Sequence, residues 1–114
     1  MEKLDPKRIE NILALTPLQE GMLFHYLQDP RSGLYFEQLS LEISGTIDVQ
    51  FFEKAWNVVI EANEMLRTVF RWEKVEKPSQ IILKEHKCKV VFHDLSAKDS
   101  GQKKTALEEI KTKD

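Results

Sequence analysis

Hydrophobic and polar residues change their spacing several times along the chain, and each change marks the end of a predicted element. The first helical stretch begins at Thr16 and stops near Asp29-Pro30. Thr16 can cap this helix, Pro17 suits its first position, and Gln19 stands where a capping box needs its reciprocal acceptor. One face carries side chains at three- and four-residue steps, namely Leu18, Met22, His25 and Tyr26.

A second helical stretch covers residues 48–66. Asp48 can cap its start. Side chains then recur at three- and four-residue steps along one face: Phe52, Ala55, Trp56, Val59, Asn63 and Leu66. These positions predict one continuous helix that packs its aromatic residues against a sheet.

Four further stretches predict strands. Residues 35–44 alternate apolar and polar side chains and end at Gly45, which is typical of a half-buried strand. Residues 68–75 and 80–85 flank a turn that contains a proline, so they predict a hairpin. Residues 90–93 predict a short additional strand.

The two ends of the chain complete the predicted order. Residues 1–14 are expected to be a lead-in with a turn at Asp5-Pro6, and residues 15–114 to be the domain proper. Ser96 can cap a final, mostly charged helix whose thin apolar stripe consists of Ala106, Leu107 and Ile110. The predicted order is α-β-α-β-β-β-α, a mixed α/β fold built in layers.

Composition excludes several classes of function. The 114 residues suffice for one small domain, and 17 Lys plus Arg against 19 Asp plus Glu give a net charge of -2. This balance argues against a nucleic-acid partner or an anionic membrane surface, and no apolar run approaches the ~20 residues of a membrane span. Cys88 is alone, so neither a disulfide nor a metal cluster is expected. The sequence predicts a soluble cytoplasmic protein.

Two short motifs carry a resemblance to a known family. Residues 16–25 resemble the first core motif of nonribosomal peptide synthetase condensation domains, which in many members reads Ser-x-Ala-Gln-x-Arg-(Leu/Met)-(Trp/Tyr)-x-Leu. Thr16, Gln19 and Met22 fit this motif, whereas Gly21, Leu23 and His25 depart from it.

Residues 62–70 resemble the second core motif of the same family, Arg-His-Glu-x-Leu-Arg-Thr-x-Phe. Ala62 and Asn63 depart from it. Five positions match, namely Glu64, Leu66, Arg67, Thr68 and Phe70. The two motifs follow one another in the family's order, so the resemblance implies part of a lobe like chloramphenicol acetyltransferase.

The resemblance also implies a reaction. Condensation domains join two substrates that are held as thioesters on the phosphopantetheine arms of carrier domains, and the domain itself binds no cofactor. Their active motif, His-His-x-x-x-Asp-Gly, does not occur here, and His25, His86 and His93 match nothing in it. We therefore expect an N-terminal portion that stops before the catalytic histidines and forms no peptide bond alone.

Arg67 is the residue that the resemblance ties to an active site. By resemblance it pairs with the Asp of the absent motif, because a planar guanidinium can clamp a carboxylate through two hydrogen bonds. Without that Asp, Arg67 is expected to be solvated or paired with a substitute such as Glu64. For Arg67, a purely structural salt bridge and a role in supporting the site are nearly the same prediction.

Other interpretations remain open from the sequence. Thr16 and Gln19 can serve only as helix caps, Met22 as core packing, and His25 as a packed or surface residue. Residues 1–14 can instead form a docking module that receives an upstream synthetase subunit. A stand-alone acyltransferase of the same fold needs a catalytic histidine that the sequence lacks. Because the predicted sheet lacks a neighbour, the chain is expected to associate with itself or to pack loosely, unless the last helix folds back over the gap.

Overall fold

The structure is a computed structural model that describes residues 3–114. A 3-10 turn at Pro6–Arg8 leads into strand β1, Ile9–Ala14, and helix α1, Pro17–Gln28. Helix α2 covers Val49–Ala62, and a 3-10 turn at Glu64–Arg67 connects it to strand β2, Thr68–Arg71. Strand β3, Ser79–Leu83, and helix α3, Ser100–Lys113, complete the described elements. Helices and strands are thus mixed as predicted, although their order differs.

The strands form one antiparallel sheet with β3 in the centre, between β1 and β2. Ile81 lies opposite Ile12 on one side and Val69 on the other. Its position explains why β3 supplies most of the core. The buried hydrophobic side chains of the described residues are Leu15, Ile60, Ile81, Ile82 and Leu83.

Helices α1 and α2 begin at the predicted caps. The Thr16 side chain accepts from the N–H of Gln19, and the Gln19 side chain accepts from the N–H of Thr16, which confirms the capping box. Asp48 accepts from the N–H groups of Gln50 and Phe51. Helix α2 ends at Ala62 rather than Leu66, because Asn63 takes an extended conformation and the chain tightens into a 3-10 turn before β2.

Strand β1 was not predicted, since its residues were assigned to the lead-in. Glu10 and Asn11 interrupt its apolar pattern, and its hydrogen-bonding partner β3 lies far along the sequence. The prediction of a lead-in is therefore wrong for Ile9–Ala14. Residues 1 and 2 of that segment lie outside the described residues.

Two predicted strands are absent from the described part of the chain. Residues 35–44 are exposed and pair with no strand, and they begin with Tyr35 at a φ of 67°. Residues 90–93 do not pair with a strand either, because side chains of α2 bind the backbone in this region. The Asn57 amide pairs with both the N–H and the C=O of Cys88. The Glu53 carboxylate accepts from the N–H of Val90. An alternating pattern requires a partner strand before it becomes a strand.

Helix α3 forms where predicted but begins at a different cap. The Asp99 side chain accepts from the N–H of Gln102, which completes a capping box. Ser96 instead donates to Asp94, and these hydrogen bonds lower the pKa of the Asp94 carboxyl below its usual range. Among residues 3–114, no helix is both long and apolar enough to cross a membrane.

Candidate functional site

Arg67 lies at the end of the 3-10 turn, where α2, β1 and β3 meet. Its side chain is only 9% exposed and forms an ion pair with Glu10, at 2.6 Å between Nη1 and the carboxylate. Nη1 also donates to the carbonyls of Leu83 and Lys84, and Nε donates to the carbonyl of Ile60 at 3.2 Å. One guanidinium therefore holds three elements together at this end of the sheet.

Arg67 is not solvated but paired with a substitute carboxylate, and this carboxylate is not the suggested Glu64. Glu64 lies one 3-10 turn before Arg67, and its backbone carbonyl accepts from the Thr68 hydroxyl at 2.9 Å. The partner is Glu10, which sequence reasoning missed. Nothing local pointed to Glu10, since 57 residues separate it from Arg67.

Gln19 connects the first motif to the sheet. Its Oε1 accepts from the N–H of Thr16 at 2.8 Å, and its Nε2 donates to Gln80 at 3.2 Å. Gln80 is buried and donates in turn to the carbonyl of Ala14 at 2.9 Å. Gln19 therefore caps α1 and also fixes α1 against β3. The sequence signal that could have pointed to Gln80 is its polar side chain at the start of an otherwise apolar strand, because a buried polar side chain needs a hydrogen-bond partner.

An apolar cavity of about 490 Å³ lies between α1, the loop after it and β2. Tyr26 of α1 and Trp72 of the strand end meet edge to face on its wall, with ring centroids 5.9 Å apart. Residues of both motifs share the wall, because it includes Gln19 and Met22 of the first and Phe70 of the second. The cavity can hold an apolar group, but its described wall carries no charged side chain.

Arg67 and its hydrogen-bond partners lie near one end of β3, and the cavity lies near the other end. Gln80 lies at the end near α1, and Leu83 lies at the end near Arg67. Three residues of strand separate them, which corresponds to ~10 Å. The two motifs therefore meet at the cavity, whereas Arg67 of the second motif lies outside it, near the other end of β3.

The remaining candidates do not line the cavity. His25 is exposed and lies against the ring of Tyr35, with centroids 6.2 Å apart. Leu66 is also exposed, while Thr68 is half-buried beside the turn. Within residues 3–114 there is no cluster of His, Cys, Asp or Glu that could hold a metal ion.

Comparison with known proteins shows the family. The model of the condensation domain family matches residues 9–114. Since this match covers nearly the whole chain, the chain belongs to the condensation domain family. The match begins at Ile9, inside the segment that had been predicted as a lead-in. A docking role for residues 1–14 stays a prediction.

Individual relatives agree with the family match. The chain is 47% identical over 108 residues to a linear gramicidin synthase subunit of Brevibacillus parabrevis, covering 95% of this chain and 2% of that protein. It is 44% identical over 108 residues to surfactin synthase subunit 2 of Bacillus subtilis, covering 95% of this chain and 3% of that protein. Tyrocidine synthase 2 of Brevibacillus parabrevis is 35% identical over 114 residues, which is 100% of this chain and 3% of that protein. The resemblance to nonribosomal peptide synthetase condensation domains is thus confirmed, and the chain spans a few per cent of these relatives.

Proposed function

We propose that this chain is a structural part of a domain that joins two carrier-tethered substrates through an amide bond. In that reaction the acceptor amine attacks the donor thioester carbonyl. A C–N bond forms, the C–S bond breaks, and the proton lost by the amine accompanies the released thiol. The observation that carries this proposal is the family match over residues 9–114. The two family motifs support it, because Gln19 on α1 is hydrogen-bonded to Gln80 of β3 and the second motif continues into β2 of the same sheet.

The partners proposed for this reaction are carrier domains with phosphopantetheine arms. The similar proteins are named as synthases of gramicidin, surfactin and tyrocidine, which supports a role in building such products. Holding two tethered reactants in one closed site can supply much of the rate by itself. The proposed architecture is part of a lobe like chloramphenicol acetyltransferase.

Arg67 is proposed to support the active site rather than to touch the reacting atoms. Its Nη2 carries two N–H groups but makes a single long bond within the described residues, at 3.4 Å to the carbonyl of Glu61. This edge of the guanidinium retains capacity for another acceptor. A carboxylate from a catalytic loop, such as the Asp of His-His-x-x-x-Asp-Gly, fits that capacity.

The proposal can be tested by exchanging segments. The matched segment of the condensation domain in the similar linear gramicidin synthase subunit is replaced by this chain, which gives a protein that we term the exchanged domain. Peptide transfer between loaded carrier domains is then measured by mass spectrometry in a single turnover. We expect the exchanged domain to transfer and this chain alone to give no product above a no-protein control.

Two results would count against the proposal. A folded exchanged domain without transfer would show that this segment does not serve the reaction. Product formed by the chain alone would show that the His-His-x-x-x-Asp-Gly motif is not required, and that the supporting role assigned to this segment is wrong.

A further inference from the structure

The start of β1 contains an irregularity that places Glu10 beside Arg67. In the pairing of β1 with β3, Ile9 lies opposite Leu83 and Asn11 lies opposite Ile82. Glu10 is therefore the extra residue of a bulge, and no residue of β3 lies opposite it. Bulges of this kind redirect a side chain, and they are frequent next to active sites. Here the redirected carboxylate meets Nη1 of Arg67 at 2.6 Å.

The contacts of Arg67 are distributed unevenly over its guanidinium. Nη1 meets Glu10 and two backbone carbonyls, and Nε meets the carbonyl of Ile60. Within residues 3–114, Nη2 has only its long bond to the carbonyl of Glu61. Glu10 provides the charged acceptor among the described contacts, so its bond to Nη1 joins two opposite charges, whereas the other bonds join the cation to neutral carbonyls. The carboxylate therefore contributes strongly to setting the rotation of the guanidinium plane.

We propose that Glu10 is a positioning residue for the transfer reaction, which orients Arg67 so that its Nη2 edge meets the carboxylate of the catalytic loop. This inference rests on the role proposed above for Arg67. Glu10 does not contact substrate in this account. It acts through Arg67 by holding the opposite edge of the guanidinium.

The exchanged domain allows a direct test with four variants and one double variant. Glu10→Gln keeps the shape of the side chain and removes its charge, while Glu10→Asp keeps the charge with a shorter reach. Glu85→Gln is the matched control, because Glu85 is exposed and forms no ion pair within residues 3–114. Arg67→Lys and the double variant Glu10→Gln/Arg67→Lys complete the set. Each is measured for single-turnover rate, carrier affinity and melting temperature.

We expect Glu10→Gln to slow the single turnover about tenfold at unchanged carrier affinity, which corresponds to a coupling of the size seen between contacting residues. Glu10→Asp should recover part of this loss, and Glu85→Gln should stay within about twofold of the parent. In the Arg67→Lys background, Glu10→Gln should add less than about twofold, since lysine has no guanidinium plane for Glu10 to orient.

Each of the remaining outcomes would overturn a specific part of the proposal. A lower melting temperature with an unchanged rate for Glu10→Gln would make Glu10 purely structural. An equal loss with and without Arg67→Lys would show that Glu10 acts independently of Arg67. A slow Arg67→Lys with a fast Glu10→Gln would remove the Glu10 proposal alone. An unaffected Arg67→Lys would remove the proposed role of Arg67, and the role of Glu10 with it.

Discussion

At the scale of single residues, Arg67 shows what one sequence can and cannot predict. A local motif marked Arg67 as important. Its buried guanidinium donates to backbone carbonyls of α2 and β3, so it connects these two elements. Its partner could not be predicted, because Glu10 reaches it only through a bulge whose register depends on β3. Local motifs identify a residue, whereas long-range pairing decides what it contacts.

Gln80 provides a test of the polar contacts between α1 and the sheet. Gln80→Leu removes a donor to Ala14 and an acceptor for Gln19, so it should lower the free energy of unfolding of the exchanged domain by about 1–3 kcal/mol. The control is Gln28→Leu at the exposed end of α1, which should change this free energy by about 0.5 kcal/mol or less. Urea unfolding measures both values. Equal losses of unfolding free energy in the two variants would show that the hydrogen bonds of the Gln80 side chain make no specific contribution to stability.

At the scale of elements, prediction succeeded where the signal was local. Caps and helical spacing located α1 and α2, and a proline turn located the β2–β3 hairpin. The strand predicted at residues 35–44 failed for a different reason. Its alternation is present, with Leu39 82% exposed and Leu41 70% exposed, but the described residues supply no neighbouring strand. Strand formation depends on a partner that a local pattern does not contain.

The hairpin turn gives a prediction about backbone conformation. Lys74 has a φ of 55°, in the left-handed region, where a side chain costs about 1–2 kcal/mol. Lys74→Gly should raise the free energy of unfolding by up to about 1 kcal/mol, because this relief exceeds the ~0.5–1 kcal/mol entropic cost of glycine.

Lys87→Gly is the control for this change, since Lys87 is exposed and lacks a positive φ. It should lower the free energy of unfolding of the exchanged domain by up to about 1 kcal/mol. Urea midpoints of the two variants moving in the same direction would contradict the left-handed conformation at Lys74.

Helix α3 provides a second prediction at this scale. Asp99→Ala removes the side-chain acceptor for Gln102 and should reduce local helix stability by about 1 kcal/mol. Ser96→Ala, at the cap that the sequence had favoured, should leave the helix unchanged because Ser96 lies outside it. Amide hydrogen exchange across the first two turns of α3 measures the difference. Faster exchange in Ser96→Ala than in Asp99→Ala would reverse the assignment of the cap.

At the scale of the whole molecule, the chain buries too little surface for a compact monomer. It exposes 10185 Å², whereas a compact protein of 13.3 kDa exposes about 6,500 Å². Its radius of gyration is 18.1 Å, against about 13 Å for a compact chain of this length. Large apolar side chains such as Leu18 and Leu39 lie in solvent. We therefore predict that another surface covers these apolar side chains.

Sedimentation velocity of the isolated chain over a concentration series tests this account most directly. We expect the average sedimentation coefficient to rise with concentration as chains cover one another's apolar faces, or else a single species with the high frictional ratio of an expanded, loosely packed monomer. Helix α3 does not prevent this, since its two aliphatic side chains Leu107 and Ile110 contribute only ~3–6 kcal/mol even when fully enclosed. A compact monomer with a low frictional ratio at every concentration would show that the chain is self-sufficient, and would contradict the account.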